Sequence, residues 1–149
     1  MQGDVDFRRY VGGTAWPAQK ARKRFREQYV GREREPYGLW ATILKESGEY
    51  IGCCGLVGDA PAPHLAYYIA RPFWGRGFAT EAASALVTFG FEDRALPRIV
   101  ATVEKGHRVS EHILEKLGFH IVRDETIAHS ARIISYYELT CGSPQRTEN

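Results

Sequence analysis

The chain has 149 residues, 44% apolar and 26% charged, with 20 Lys+Arg against 18 Asp+Glu for a net charge of +2. That length is about one domain at ~100–200 residues per domain, so a single domain over 1–149 is expected, large enough to bury a core without disulfides or metal. The composition excludes a collagen, a disordered tail and a coiled-coil rod, and the near-balance of charge makes nucleic acid an unexpected partner.

The opening MQGDVDFRRY has no apolar stretch after a basic start, so no secretory signal is expected. No apolar run approaches the ~18–20 residues of a membrane helix, so no membrane partner is expected. The three cysteines, Cys53, Cys54 and Cys141, are odd in number and contain no CxxC pair. Neither a disulfide framework nor a zinc cage follows, no metal is expected, and the reducing cytoplasm is the simplest compartment.

Pro17 suits the first turn of a helix running to about Tyr29. It would carry Lys20, Arg22, Lys23, Arg24 and Arg26 around more than half its circumference. A solvated helix face is the plain reading, and an acidic partner or anionic substrate the sharper one. LWATIL (39–44) and YIGCCGLV (50–57) are strand-like, and KESGE between them supplies the turn of a hairpin. GDAPAP (58–63) is a loop, HLAYYIA (64–70) a strand, and Pro72 limits its end.

From 79 to 96 the pattern becomes helical. Ala82, Ala83, Leu86, Val87, Gly90 and Phe91 form one stripe, with Glu81, Ser84, Thr88 and Glu92 opposite. Pro97 closes this helix, and RIVATV (98–103) is a short buried strand. VSEHILEKL (109–117) is a second helix, with Val109, Ile113 and Leu117 on one face and Gly118 placed to end it in the left-handed conformation. FHIVRDETI and ARIISYYEL are two last strands around Ala128-His129-Ser130. Helix, β, β, β, helix, β, helix, β, β is an α/β (α+β) domain with a mixed sheet, not a regular βαβ array.

WGRGFAT (74–80) follows a strand and opens the long helix. Gly75 and Gly77 allow a tight turn, and the turn's N–H groups join those of the first helical turn in one concavity suited to a diphosphate. Arg71 and Arg76 stand at its rim for charge-assisted contacts. The nucleotide-hydrolase loop needs a Lys that this segment lacks, and the dinucleotide fingerprint needs a third Gly where Thr80 stands. By itself the glycine pair is also compatible with a plain strand-to-helix turn.

YYIARPFWGRGFATEA, followed after ~25 residues by VEKGHRVSEHILEKLGF, resembles the GNAT superfamily of acyl-CoA-dependent N-acetyltransferases. Within it the chain looks closest to the RimJ/RimL-type branch of ribosomal-protein N-terminal acetyltransferases, from about residue 4 to residue 140. The resemblance implies a mixed, mostly antiparallel sheet flanked by helices and splayed between the strand at 64–70 and that at 98–103, with the acyl thioester in the gap. It implies acetyl-CoA as co-substrate. The CoA pyrophosphate would meet the backbone of Gly75, Arg76, Gly77, Phe78, Ala79 and Thr80, and the pantetheine arm would pair with Ile69, Ala70 and Arg71 like an added strand.

Several features depart from the family pattern. Trp74 stands at the usual Gln/Arg, His107 at the usual Asn of Asn-x-x-Ser, and Leu114 where many members carry an acidic tyrosine. The resemblance also implies a first strand that this chain, starting near DVDFRRYVGG, is expected to lack, whether as a short member, through a misassigned start or as a cut piece. Ser110 matches the branch serine, which leaves it the candidate acid for the departing thiolate and a CoA contact beside His107. His64 stands where the branch often has a Glu base, and an imidazole can take the ammonium proton through water. A surface histidine after a proline loop and an ordinary helix-start serine are the plain alternatives.

The implied activity is transfer of acetyl from acetyl-CoA to a primary amine, either a protein N-terminus or a small molecule, by direct attack in a ternary complex. The alternative is a non-catalytic acyl-CoA-binding or regulatory module of the same fold. Tyr136 and Tyr137 read as sheet-packing residues, at least one of Cys53 and Cys54 as core, and neither cysteine as an acyl carrier. A sheet edge left open by a missing first strand invites pairing with a second copy, so a homodimer is expected.

Overall fold

The computed structural model describes residues 37–142 together with Pro17, Gln19, Lys20 and Lys23. Gln19, Lys20 and Lys23 are helical and exposed, within the helix expected from Pro17. The rest of that helix, Arg22, Arg24 and Arg26, and the question of a first strand lie outside the described residues.

The described chain folds into six strands and two α-helices: β1 (Gly38–Ile43), β2 (Tyr50–Val57), β3 (His64–Ile69), α1 (Phe78–Thr88), β4 (Arg98–Glu104), α2 (Arg108–Lys116), β5 (His120–Thr126) and β6 (Ile133–Thr140). The strands form one sheet in the order β1-β2-β3-β4-β6-β5. Every neighbouring pair is antiparallel except β3 and β4. The expected hairpin is present: Gly48, at φ 70°, closes it by donating to the Leu44 carbonyl at 2.8 Å.

α1 buries Ala83, Leu86 and Val87 against the sheet, as the apolar stripe requires. Each of the two larger side chains is worth ~1.5–3 kcal/mol of burial. The regular helix stops at Thr88 and continues as a π-turn, Phe89–Asp93, so it is shorter than the expected 79–96. Gly90 lies at this change, packed so closely that an added Cβ would meet Ile99 Cδ1 at 2.8 Å. Trp40 of β1 meets Phe89 edge-on, with ring centroids 5.4 Å apart.

α2 ends in a Schellman motif: Phe119 N–H donates to Leu114 O and Gly118 N–H to Glu115 O, both at 3.0 Å, with Gly118 at φ 92°. Its buried residues are Ile113 and Leu114, whereas Val109, expected on the apolar face, is 67% exposed. The helix approaches the core with its C-terminal half, which leaves the first turn over an opening in the sheet. Tyr137 is buried in the core, and Tyr136 lies under the Arg123 guanidinium, 3.9 Å from its ring centroid.

β2 depends on two glycines. A Cβ on Gly52 would fall on the carbonyl oxygen of Tyr68, and one on Gly55 on that of Gly38. The obstacles are backbone atoms of the neighbouring strands and cannot rotate away. Gly55→Ala should therefore cost about 3 kcal/mol or more in unfolding free energy, read from the urea midpoint. A change within ~0.5 kcal/mol would show that β1 gives way freely.

Candidate functional site

β3 and β4 are in register at one place, His64 opposite Val100, where Val100 N–H donates to the Pro63 carbonyl at 3.1 Å. Beyond it the two strands diverge, which is the splay expected between them. Ala70 N–H donates to the Ile51 carbonyl of β2 at 2.8 Å. Antiparallel alternation then turns the N–H and C=O of Tyr67 and Ile69 the other way, into the divergence. Of the three residues expected to meet a pantetheine arm, Ile69 thus faces the gap with its backbone, while the Ala70 N–H is spent on β2.

Two cavities, of about 300 Å³ and about 660 Å³, occupy the divergence. Tyr67, Tyr68, Thr102, Val103 and Ser110 line both. His64, Leu39 and Val57 line the smaller, and Gly75, Gly77, Phe78, Ala79, Thr80 and His107 the larger. His64 is exposed at the point where β3 and β4 meet. The two residues expected to act in catalysis therefore share one cavity, His64 at the closed end of the splay and Ser110 at its junction with the larger space.

The glycine turn is built as its sequence requires. Pro72 sits in a 3₁₀ turn, Arg71–Phe73, which ends β3. Gly75 and Gly77 then take φ of 71° and 83°, a region costly for residues with a Cβ. Gly77 is the N-cap of α1 and has no side-chain oxygen to cap it. The N–H groups of Phe78, Ala79 and Thr80 consequently lack an intrahelical acceptor at the positive end of the helix dipole. Trp74 donates its indole N–H to the Ile69 carbonyl at 2.7 Å, bracing the turn against the end of β3.

Arg76 lies with its guanidinium 4.9 Å from the Phe78 ring centroid and 5.8 Å from that of Phe73. Arg71 is exposed, and neither arginine is among the residues lining the larger cavity. Arg108, at the start of α2, does line it, and composition alone did not single it out.

α2 begins differently from α1. The His107 Nδ1 accepts the Ser110 N–H at 3.2 Å, and Gly106 N–H donates to Glu111 Oε1 at 2.7 Å. An imidazole thus caps the helix where the family pattern has asparagine. Tyr67 donates its hydroxyl to the Ser110 carbonyl at 3.4 Å, crossing from β3 to α2. Burial pushes its phenol up to about 12, against the lowering effect of that contact. Tyr67 was legible only as a β-prone aromatic; counting its N–H direction along 64–69 would have placed it at the gap.

Burial also raises the Cys53 thiol to about 11, so it is not disposed to act as a thiolate, and Cys54 accepts the Thr42 hydroxyl at 3.4 Å. No group of three or more His, Cys, Asp or Glu among the described residues is placed to hold a metal ion. No helix among them is long and apolar enough to cross a membrane.

Residues 1–120 match the family model described as an acetyltransferase (GNAT) domain. The chain is 32% identical over 143 residues to the Bacillus subtilis (strain 168) protein YkkB, covering 91% of this chain and 79% of that one. It is 35% identical over 104 residues to a Bacillus licheniformis protein named as the N-acetyltransferase p20, covering 66% of this chain and 58% of that relative. Its fold is similar to the crystal structure of a GNAT-family acetyltransferase from Bacillus anthracis, with a TM-score of 0.80, 19% identity, and 93% of this chain and 84% of that one covered.

Removing the α2 cap should be measurable. His107→Ala should lower stability by ~1 kcal/mol in urea unfolding, the usual cost of losing an N-cap acceptor, and His107→Asn should recover it. Equal midpoints for His107→Ala and the natural chain would mean the imidazole bond carries nothing.

Proposed function

The chain belongs to the acetyltransferase (GNAT) family, and from that premise we propose that it transfers acetyl from acetyl-CoA directly to a primary amine across the divergence of β3 and β4. The observation that carries this reading is the joining of two cavities at Tyr67, Thr102 and Ser110. One space adjoins the uncapped start of α1 and the other holds His64, so donor and acceptor have separate ways in to one point.

The CoA diphosphate would take the N–H groups of Phe78, Ala79 and Thr80, where charge, geometry and lack of a cap coincide. The pantetheine carbonyls suit the N–H that Ile69 turns into the gap, in the manner of an added strand, its own carbonyl being held by the Trp74 indole. An amine entering the smaller cavity must lose a proton before its lone pair attacks the thioester carbonyl. His64, which lines that cavity, would accept it through a water, and the Ser110 hydroxyl at the junction would serve the departing sulfur. The acceptor is an amine, with peptide N-termini and small amines the two classes to be separated.

A panel of peptides with free α-amines, polyamines and aminoglycosides, scored by release of CoA thiol from acetyl-CoA, tests the reaction and its acceptor together. Acetyl-CoA binding without thiol release for any amine would favour the non-catalytic module. Gly77→Glu should weaken acetyl-CoA binding at least about tenfold in a titration, with the thermal midpoint followed as the control for folding. Unchanged affinity would remove the α1 turn from the site. His64→Ala should lower kcat/KM by about 10²–10⁴-fold with acetyl-CoA affinity little changed. If that variant keeps the rate, His64 is a bystander.

A further inference from the structure

We propose that the phenol hydroxyl of Tyr67 is a catalytic hydrogen-bond donor to the sulfur that departs in this reaction. The inference rests on the acetyl-transfer reading above. It begins from the place of the ring. Tyr67 stands on β3 past the single register point with β4, and it lines both cavities.

Four of the five residues common to the two cavities carry hydroxyls: Tyr67, Tyr68, Thr102 and Ser110. Strand alternation sends Tyr68 to the sheet face opposite Tyr67. Thr102 alternates with the core residues Ala101 and Val103, and so also leaves by that opposite face. Ser110 is held in the first turn of α2. The Tyr67 hydroxyl spans from one wall of the divergence to the other.

That hydroxyl can be redirected at little cost. Its contact with the Ser110 carbonyl is 3.4 Å long, outside the ~2.5–3.0 Å usual for an O–H···O bond. The Ser110 carbonyl lies inside α2, four residues before Leu114, so the helix supplies it with a second donor. Turning the phenol towards a ligand therefore leaves no buried acceptor bare.

The electron balance sets what the phenol does. The amine lone pair forms the C–N bond at the thioester carbonyl carbon, and the C=O π pair moves to oxygen. That pair returns as the C–S bond breaks, and sulfur leaves with the bonding pair. The proton lost by nitrogen goes to the base or to water, and the thiolate later takes one from solvent. Thiols ionise near pKa ~8.5, whereas burial holds the Tyr67 phenol at about 12. Proton transfer from the phenol to sulfur would thus be uphill, and Tyr67 keeps its proton, donating a hydrogen bond as charge grows. The groups that bear on this phenol are Ser110 of α2 and Tyr137 of β6, with His107 and Glu104 on the same cavity wall.

Tyr67→Phe in the full chain removes one oxygen and keeps the ring. We expect kcat to fall about 10²-fold, as for loss of one positioned donor, with KM for acetyl-CoA and the thermal midpoint little changed. Fluorotyrosine at position 67 supplies the readout that a packing role would not move. It lowers the phenol pKa, which burial holds up at about 12 in the natural chain, so an alkaline descent of kcat caused by this phenol should move to lower pH. A Tyr67→Phe enzyme within twofold of the natural kcat overturns the proposal. So does a fluorotyrosine enzyme whose pH profile does not move, or a kcat loss matched by lost stability and acetyl-CoA affinity. Thiol release by the natural enzyme separates the two readings. Its absence with every amine sinks acetyl transfer and this role with it, whereas normal release with an indifferent Tyr67→Phe sinks this role alone.

Discussion

Everything at the site depends on β3 and β4 parting after a single point of register. Parallel neighbours normally satisfy each other's backbone along their whole length. Here the N–H and C=O groups of Tyr67 and Ile69 face an opening instead, and buried backbone groups must find partners. Part of that need is met locally, since the Trp74 indole takes the Ile69 carbonyl. The remainder makes the edge of β3 receptive to an extended chain bearing amides. Because α1 and α2 both start beside the opening, the wedge between the strands lies between two helix N-termini.

Those two N-termini are not equivalent, and the difference is chemical. α2 has its Ser110 N–H capped by His107, and Glu111 holds the Gly106 N–H just ahead of the helix. α1 begins at a glycine with no side chain to turn inward. The field of a helix dipole is similar at both, so the uncapped donors decide where an anion is best held. Arg108 adds its charge to the wall between them, whereas Arg76 rests on the Phe78 ring.

Much of this was legible in the amino-acid sequence because it rests on local rules. Gly75 and Gly77 had to mark a turn, Pro72 had to stop β3, Gly118 had to end α2, and the stripe of α1 had to face the sheet. The failures have equally definite causes. Periodicity put Val109 on the apolar face of α2, but burial depends on how the helix is tilted over the sheet, which spacing does not encode. The expected helix over 79–96 ran on through Gly90, because composition does not register the tight approach to Ile99. Tyr67 went unnoticed since its significance comes from a partner missing on β4, a feature of strand pairing and not of the residue. The glycines at 52 and 55 likewise answer to carbonyls on neighbouring strands.

The opposite directions of the Ala70 and Ile69 backbone groups bear on how this chain can change in length. A strand repeats every two residues, so inserting or deleting one residue between Tyr67 and Arg71 would exchange the groups bound to β2 for those facing the opening. The glycine turn would then be reached from the wrong side of the strand. The turn at 44–49 and the loop at 58–63 lie outside this parity, because the pairing of Gly52 with Ile69 resets the register after each of them. Natural and engineered variation in length is thus channelled to those two connections, while the stretch from 64 to 80 behaves as one ruler of fixed length.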